Sequence, residues 1–474
     1  MAHTQQSSTR KRIPGLSPRE NSRVKTEEFR ILLALEPSWT ISINGREFLH
    51  LRSSEIELEG EFIRFGHRHR KIVDLEFPRL DTVRVRVRSR LRSQTDRLVF
   101  YAGEKLSFGA ELRKRRSIFL QALIPAVSKY FGERVTRQTL HSDKRHGIGG
   151  AYPRLLVGSA HAVIAVDPDE SSSVINGVMR AALQWAAVAK RRISVVVPEH
   201  RSQTIATRLR ASPGLLQPFD WLGWDGVILA PFPLQGEVET QIHPFIRAQV
   251  EPEVARICAI APDLLQAVPH VSGGAVSIRF RGLEVAHVAE NETVYPLGEP
   301  LGPLVKRLSR ERRHGSNHPL ARAHEEAWLE SNLIAEIHQL LPVRQDHIYP
   351  QVPSFGGEER KIIDLLTVTD HGRLVVIEIK ATADPDLPFQ AFDYWLAVER
   401  HRKAGDFKAS GYFRDVEILE EPALLVMVAP LLSFHKSLGR LMAVLPPTLP
   451  VLQIGINQSW KKEIKVLRRK GALG

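Results

Sequence analysis

The segment Lys361-Ile362-Ile363-Asp364-Leu365-Leu366, followed after the turn Asp370-His371-Gly372 by Arg373-Leu374-Val375-Val376-Ile377-Glu378-Ile379-Lys380, decides the fold. Both stretches read as strands. The first is almost wholly apolar except for Asp364, as expected of a strand buried on both faces. In the second, period-two alternation sends Glu378 and Lys380 to one face and Val375, Ile377 and Ile379 to the other. A three-residue loop with Gly372 at the left-handed position makes a hairpin centred on His371. Residues that oppose one another in that hairpin have numbers symmetric about His371, so Asp364 faces Glu378. Their β-carbons are then about 5 Å apart.

Two carboxylates that close in apolar strands repel one another and lose hydration unless a cation joins them. Oxygen ligands of this kind suit Mg²⁺ or Mn²⁺. A divalent ion held there can activate water and neutralise charge on a phosphodiester, and a lysine beside it can orient the nucleophile or stabilise the transition state. A purely structural ion pair of Lys380 with one acid is the competing account. It leaves the second acid uncompensated.

An acid on one core strand followed by Glu-x-Lys on the next resembles the signature of the PD-(D/E)XK nuclease superfamily, with Ile363 standing where many members carry proline. The resemblance covers roughly residues 323–430 and rests on the order helix, strand, hairpin, helix. It implies that Asp364 and Glu378 ligate metal and that Lys380 assists the attacking water. On the upstream helix, Trp328-Leu329-Glu330 looks like the glutamate that completes metal binding in such nucleases, with Glu326, one turn earlier, as the other candidate. Downstream, Pro388-Phe389-Gln390-Ala391-Phe392-Asp393-Tyr394 opens a helix with proline in its first turn. Gln390 and Tyr394 then share a face. They resemble the Gln-x-x-x-Tyr element of the RecB-like and mismatch-endonuclease-like branches, which contacts DNA. A tyrosine packed in the core with a glutamine at its rim is the plainer reading.

Outward from this centre, the chain reads as mixed α/β, a restriction-endonuclease-like core that is duplicated and preceded by a β-rich region. Residues 316–474 form the nuclease-like domain, with a helix near 323–341, strands Lys361 to Thr369 and Arg373 to Ala381, a helix from Pro388 and a strand Ala423 to Val428. Residues 111–235 repeat that order. His161-Ala162-Val163-Ile164-Ala165-Val166-Asp167 parallels Leu374 to Lys380, and Gln184-Trp185-Ala186-Ala187-Val188 parallels Tyr394-Trp395-Leu396-Ala397-Val398. That alignment sets Ala165 and Asp167 where Glu378 and Lys380 stand. Residues 149–160 hold no acid, so the first repeat is expected to be catalytically dead. Residues 236–315 read as a helical and β connecting region.

Residues 1–28 read as a flexible basic tail and 29–110 as β-rich, with turns at Asn44-Gly45, Glu59-Gly60 and around Gly66. In Val83 to Arg92, alternation puts five arginines on one face, either a polyanion-binding ribbon or a solvated outer face. The basic runs Arg113 to Arg116, Lys306 to Arg313 and Lys461 to Lys470 carry the same two readings.

With 66 Lys+Arg against 53 Asp+Glu in 474 residues, the net charge of +13 favours a polyanionic partner. The single cysteine, Cys258, excludes an intramolecular disulfide and a multi-cysteine zinc site, and its apolar setting reads as buried. No apolar run reaches membrane-spanning length and the N-terminus lacks a secretory core, so a cytoplasmic protein without membrane contact is expected. There is no Gly-Lys-Ser/Thr phosphate loop, and His324-Glu325 fails as a zinc-protease motif because Trp328 occupies the second histidine position. The expected activity is Mg²⁺- or Mn²⁺-dependent phosphodiester hydrolysis in nucleic acid, DNA before structured RNA, with homodimerisation left open. The alternative is a non-catalytic nucleic-acid-binding protein that keeps a nuclease-like fold.

Overall fold

The computed structural model describes residues 18–36, 38–43, 47–65, 68–79, 82–89, 95–102, 110–143, 148, 152–168, 170, 172–199, 202–234, 240–242, 244–245, 250–270, 274–356 and 359–471. The chain divides into two compact units, one made of residues 1–114 and 296–323, the other of 115–295 and 324–474.

In the first unit, seven antiparallel strands form one sheet over the core of Trp39, Ile41, Val83, Val85, Val87 and Phe100. The strands flanking all three predicted turns pair, with Ile43 opposite Glu47, Glu59 opposite Phe62 and Phe65 opposite Arg68. Residues 44–46 and 66–67 lie outside the described set. A helix at Pro18–Leu35 corrects the expected tail of residues 1–28. Phe29, Leu32 and Leu33, at i, i+3 and i+4, bury against the sheet, and the polar first half of the helix hid it from the hydrophobic pattern.

The arginine strand alternates as read. Val83, Val85 and Val87 are buried while Arg84, Arg86 and Arg88 are exposed, and Arg90 and Arg92 lie outside the described residues. Arg86 pairs with Asp74 at 2.6 Å, so part of that face is already neutralised. The run from Lys306 is likewise partly neutralised. Arg307 holds Glu299 at 2.7 Å and Glu311 at 2.8 Å, and Arg312 is buried against backbone carbonyls.

The second unit contains two mixed sheets of the same plan. In the first, Val135–Thr139, Arg154–Val157 and His161–Ala165 are antiparallel neighbours, Arg192–Pro198 and Phe219–Trp224 continue in parallel, and Leu229–Pro231 closes antiparallel. The second runs Tyr349–Gly356, Glu359–Val368, Leu374–Ile379, Leu424–Pro430, Val451–Ile456 and Val466–Lys470 with the same sequence of directions, plus Thr240–Ile242 on its outer edge. Helix Ser172–Ala186 makes the crossover in the first and Leu387–Ala404 in the second. The repetition read in the letters is therefore present in the topology.

These two helices share one core, in which Val178, Met179 and Ala182 meet Phe389 and Phe392. Ion pairs Arg208–Asp393 at 2.7 Å and Arg180–Asp386 at 3.2 Å tie the repeats together. Within the region read as helical and β, Leu265–His270, Ala275–Phe280, Leu283–Ala289 and Glu292–Val294 form a four-stranded antiparallel sheet of their own. Cys258 is half-buried rather than buried. Among the described residues no helix is long and apolar enough to cross a membrane.

The hairpin that carries the candidate site has the predicted register: Leu365 pairs with Ile377, Leu366 with Val376 and Val368 with Leu374. Gly372 makes this turn with φ +97°, and a β-carbon there would sit 2.2 Å from the Glu417 carbonyl oxygen. Gly372→Ala is expected to lower stability by about 1–3 kcal/mol, read as a lower urea midpoint at unchanged slope. An unchanged midpoint would show that the turn does not constrain the register.

Candidate active site

The register continues one step past Leu365–Ile377 and sets Asp364 opposite Glu378, where the ladder gives way to side-chain contacts. Asp364 Oδ2 accepts the Ile379 N–H at 2.8 Å, so a backbone donor of one strand orients the carboxylate of the other. Glu378 is 1% exposed. Its Oε1 accepts from Lys380 Nζ at 2.9 Å, and its Oε2 is buried with no hydrogen-bond partner. The structure thus brings Asp364, Glu378 and Lys380 together on the face shared with Leu374 and Val376. Ile377 and Ile379 pack on the opposite face with Trp328 and Leu329.

The electrostatics follow from burial. Loss of hydration pushes the Glu378 carboxyl well above its ordinary value and the facing Asp364 pushes it further, while Lys380 opposes both. Asp364 is also raised by burial, moderated by Lys380 and by the Ile379 N–H. Burial alone would lower Lys380, but Glu378, Glu326 and Asp364 together hold its ammonium above the usual lysine range. An unpartnered carboxylate oxygen, a second acid across the hairpin and a net negative pocket form a donor set that fits a hard divalent ion.

The two helix glutamates differ in their engagement. Glu330 is buried beside Asp364 and raised to about 7, chiefly by burial. Its Oε1 accepts from Arg279 at 2.7 Å and its Oε2 from Gln351. Glu326 stands at the mouth with 53% of its side chain exposed, 4.0 Å from Lys380. It accepts the Ala381 N–H.

Gln351 is the residue across the strand pair from Asp364. Its neighbours Pro350 and Val352 pair with Leu365 and Ile363, while Gln351 itself adopts φ +53°. That left-handed backbone, costly for a non-glycine residue, goes with a side chain committed to Glu330. Neither Gln351 nor Arg279 was legible as a site residue. One needs a backbone conformation and the other comes from the separate sheet Leu265–Val294 to be seen.

No protein-family model and no curated protein sequence matches the chain. The site is therefore judged on its own chemistry.

Gln390 and Tyr394 lie on helix Leu387–Ala404, half-buried. The Gln390 Oε1 is buried with no hydrogen-bond partner. Burial raises the Tyr394 hydroxyl, and the charges of Glu378 and Asp364 raise it further, which puts the phenol within electrostatic reach of the acids. Asp386, at the start of the same helix, is raised to about 6 by burial, against the pull of Arg180 from the first repeat.

The first repeat carries a correction. Ala165 pairs with Val196 as Ile379 pairs with Val428, and the next amide in each, Val166 or Lys380, donates to that partner's carbonyl. The residues standing where Glu378 and Lys380 stand are thus Ile164 and Val166, not Ala165 and Asp167. Both pack in the core that Leu374 and Val376 share. Opposite Ile164 stands Arg154, in the place of Asp364. The one-residue slip put the wrong face inward. An arginine and two aliphatics therefore stand at this place in the first repeat.

Proposed function

We propose that the chain is a divalent-metal-dependent nuclease of the PD-(D/E)XK type, acting on DNA through the second repeat. The observation that carries this reading is the Glu378 carboxylate, nearly sealed from solvent, with one oxygen on Lys380 and the other unpartnered, facing a second acid. A structural ion pair needs no second carboxylate and leaves no orphaned oxygen.

In this reading Asp364 and Glu378 would hold Mg²⁺ or Mn²⁺, with Glu330 or Glu326 completing the oxygen set. The ion would supply Lewis-acid stabilisation of a scissile phosphate and a lowered pKa for water. The Ile379 N–H donates to Asp364 Oδ2 and favours its carboxylate form, which would serve as the ligand. Lys380, kept protonated by its acid neighbours, places a positive charge beside the attacked phosphate and donates a hydrogen bond to the incoming water. Gln390 and Tyr394 offer polar groups to the DNA backbone next to the acids, and the net charge of +13 draws the polyanion in.

Incubating the purified chain with plasmid and Mg²⁺ or Mn²⁺, with and without chelator, beside the Glu378→Ala variant tests the reading. Structured RNA offered against duplex and branched DNA separates the substrate classes. For the two helix residues, Gln390→Ala and Tyr394→Phe are each expected to raise KM for DNA by about 2–10-fold, the loss of one hydrogen bond. A KM unchanged in both variants would return them to the core-and-rim role.

A further inference from the structure

Away from the acids of the hairpin, Asp346, His347 and Asp415 bring one imidazole nitrogen and two carboxylate oxygens within 4.8 Å of one another. His347 is the buried member, 5% exposed, at the end of the short turn Gln345–His347. Its Nε2 has no hydrogen-bond partner and lies 3.5 Å from Asp346 Oδ2 and 3.5 Å from Asp415 Oδ2. That spacing is too long for a good hydrogen bond. It matches the edge of a tetrahedron around an ion with bonds of about 2.0–2.2 Å, whose ligand atoms stand roughly 3.3–3.6 Å apart.

The surroundings complete the case. On the far side of the ring, Nδ1 lies 3.1 Å from the Tyr349 hydroxyl, which also accepts the Phe413 N–H at 3.1 Å. With the proton on Nδ1, the ring donates to Tyr349 and its Nε2 lone pair faces the two carboxylates, the arrangement by which a second-shell partner fixes a metal-binding histidine. Arg414, next to Asp415, bears on Tyr349, and Arg344 is the cation that pairs with the acids. Its Nη2 reaches Asp346 Oδ2 at 2.8 Å and Asp415 Oδ2 at 4.0 Å, its Nε reaches Asp346 Oδ1 at 3.2 Å, and Asp370 also bears on it. The outer two acids are exposed, at 58% and 70% of their side chains, so an ion has a path in.

We propose that Asp346, His347 and Asp415 form a second metal site, selective for Zn²⁺ or a similar borderline transition ion over Mg²⁺, with water as the fourth ligand. The nitrogen donor sets this preference, since hard Mg²⁺ takes oxygen ligands. Binding would clamp the turn before strand Tyr349–Gly356 to the 413–415 segment, where Phe413 holds φ +49°. The role is structural, and it stands whether or not the hairpin acids catalyse.

The test is Zn²⁺ alone, titrated calorimetrically into the chelator-stripped full chain in excess Mg²⁺, with bound zinc counted after dialysis. The wild type is expected to hold a zinc equivalent that is lost, with affinity down at least about 100-fold, in both His347→Gln and the surface variant Asp415→Asn. Glu378→Gln keeps it. Tyr349→Phe weakens it about 10-fold through the ring, and Arg344→Gln, which removes the competing cation, tightens it. Zinc bound equally by wild type, His347→Gln and Asp415→Asn overturns the site, as does zinc displaced by millimolar Mg²⁺. If His347→Gln does not fold, Asp415→Asn alone decides.

Discussion

Glu378→Ala is expected to reduce metal-dependent nicking of plasmid DNA by a factor on the order of 10³ or more, with the circular dichroism spectrum of the wild type. The size follows from what one carboxylate does in this geometry. It supplies the unpartnered Oε2 that a divalent ion would take, it faces Asp364 across the hairpin, and its Oε1 holds Lys380 at 2.9 Å. Removing it would take away a proposed ligand and free the lysine at once.

Lys380→Ala separates the two contributions. Turnover falls comparably, but Mg²⁺ still binds, because Asp364 and Glu378 remain. Asp364→Ala should resemble Glu378→Ala, losing both. Nicking at equal rates by wild type and Glu378→Ala would mark the activity as a contaminant's and remove the catalytic claim. Cleavage by the wild type that persists in excess chelator would remove the metal.

The parts of this site that sequence made legible are those governed by backbone periodicity. Alternation in Leu374–Ile379 and the glycine of the turn fix the face of Glu378 and Lys380 and the residue opposite Glu378, and the hairpin has that register. The central strands and crossover helix of both repeats follow from the same patterning, since buried parallel strands leave long apolar runs, whereas outer strands such as Tyr349–Gly356, Val451–Ile456 and Val466–Lys470 were not read. Contacts between elements distant in sequence were not legible. Arg279 reaches Glu330 across 51 positions, and Arg180 reaches Asp386 from the other repeat. The Asp346–His347–Asp415 cluster depends on a loop nearly seventy residues away and has no spacing signature. The slip at Ala165 is instructive in the opposite sense. Aliphatic residues on both faces of His161–Ala165 give no alternation to anchor the alignment, so a shift of one residue went undetected.

Stability should depend on pH and metal in opposite directions. In chelator, Glu378 and Asp364 have carboxyls raised by burial, Glu330 is raised to about 7 and Asp386 to about 6. An acid whose folded value lies above its unfolded one binds more protons folded than unfolded between the two. Its contribution to stability is full below the unfolded value and is lost as pH rises through the folded one. The chelated wild type should therefore lose thermal stability from about pH 4.5 to 7, and further as Glu378 ionises. In the proposed site Mg²⁺ would bind the ionised pair and stabilise by mass action, so its effect should be absent at pH 4.5 and grow toward pH 8. Glu378→Gln removes one buried acid and keeps an acceptor for Lys380. At pH 8 in chelator it should melt at least about 2 °C above the wild type, and Mg²⁺ should no longer raise its midpoint. A variant that melts lower than the wild type at pH 8 and still responds to Mg²⁺ would mean that Glu378 is a structural partner of Lys380 and holds no ion.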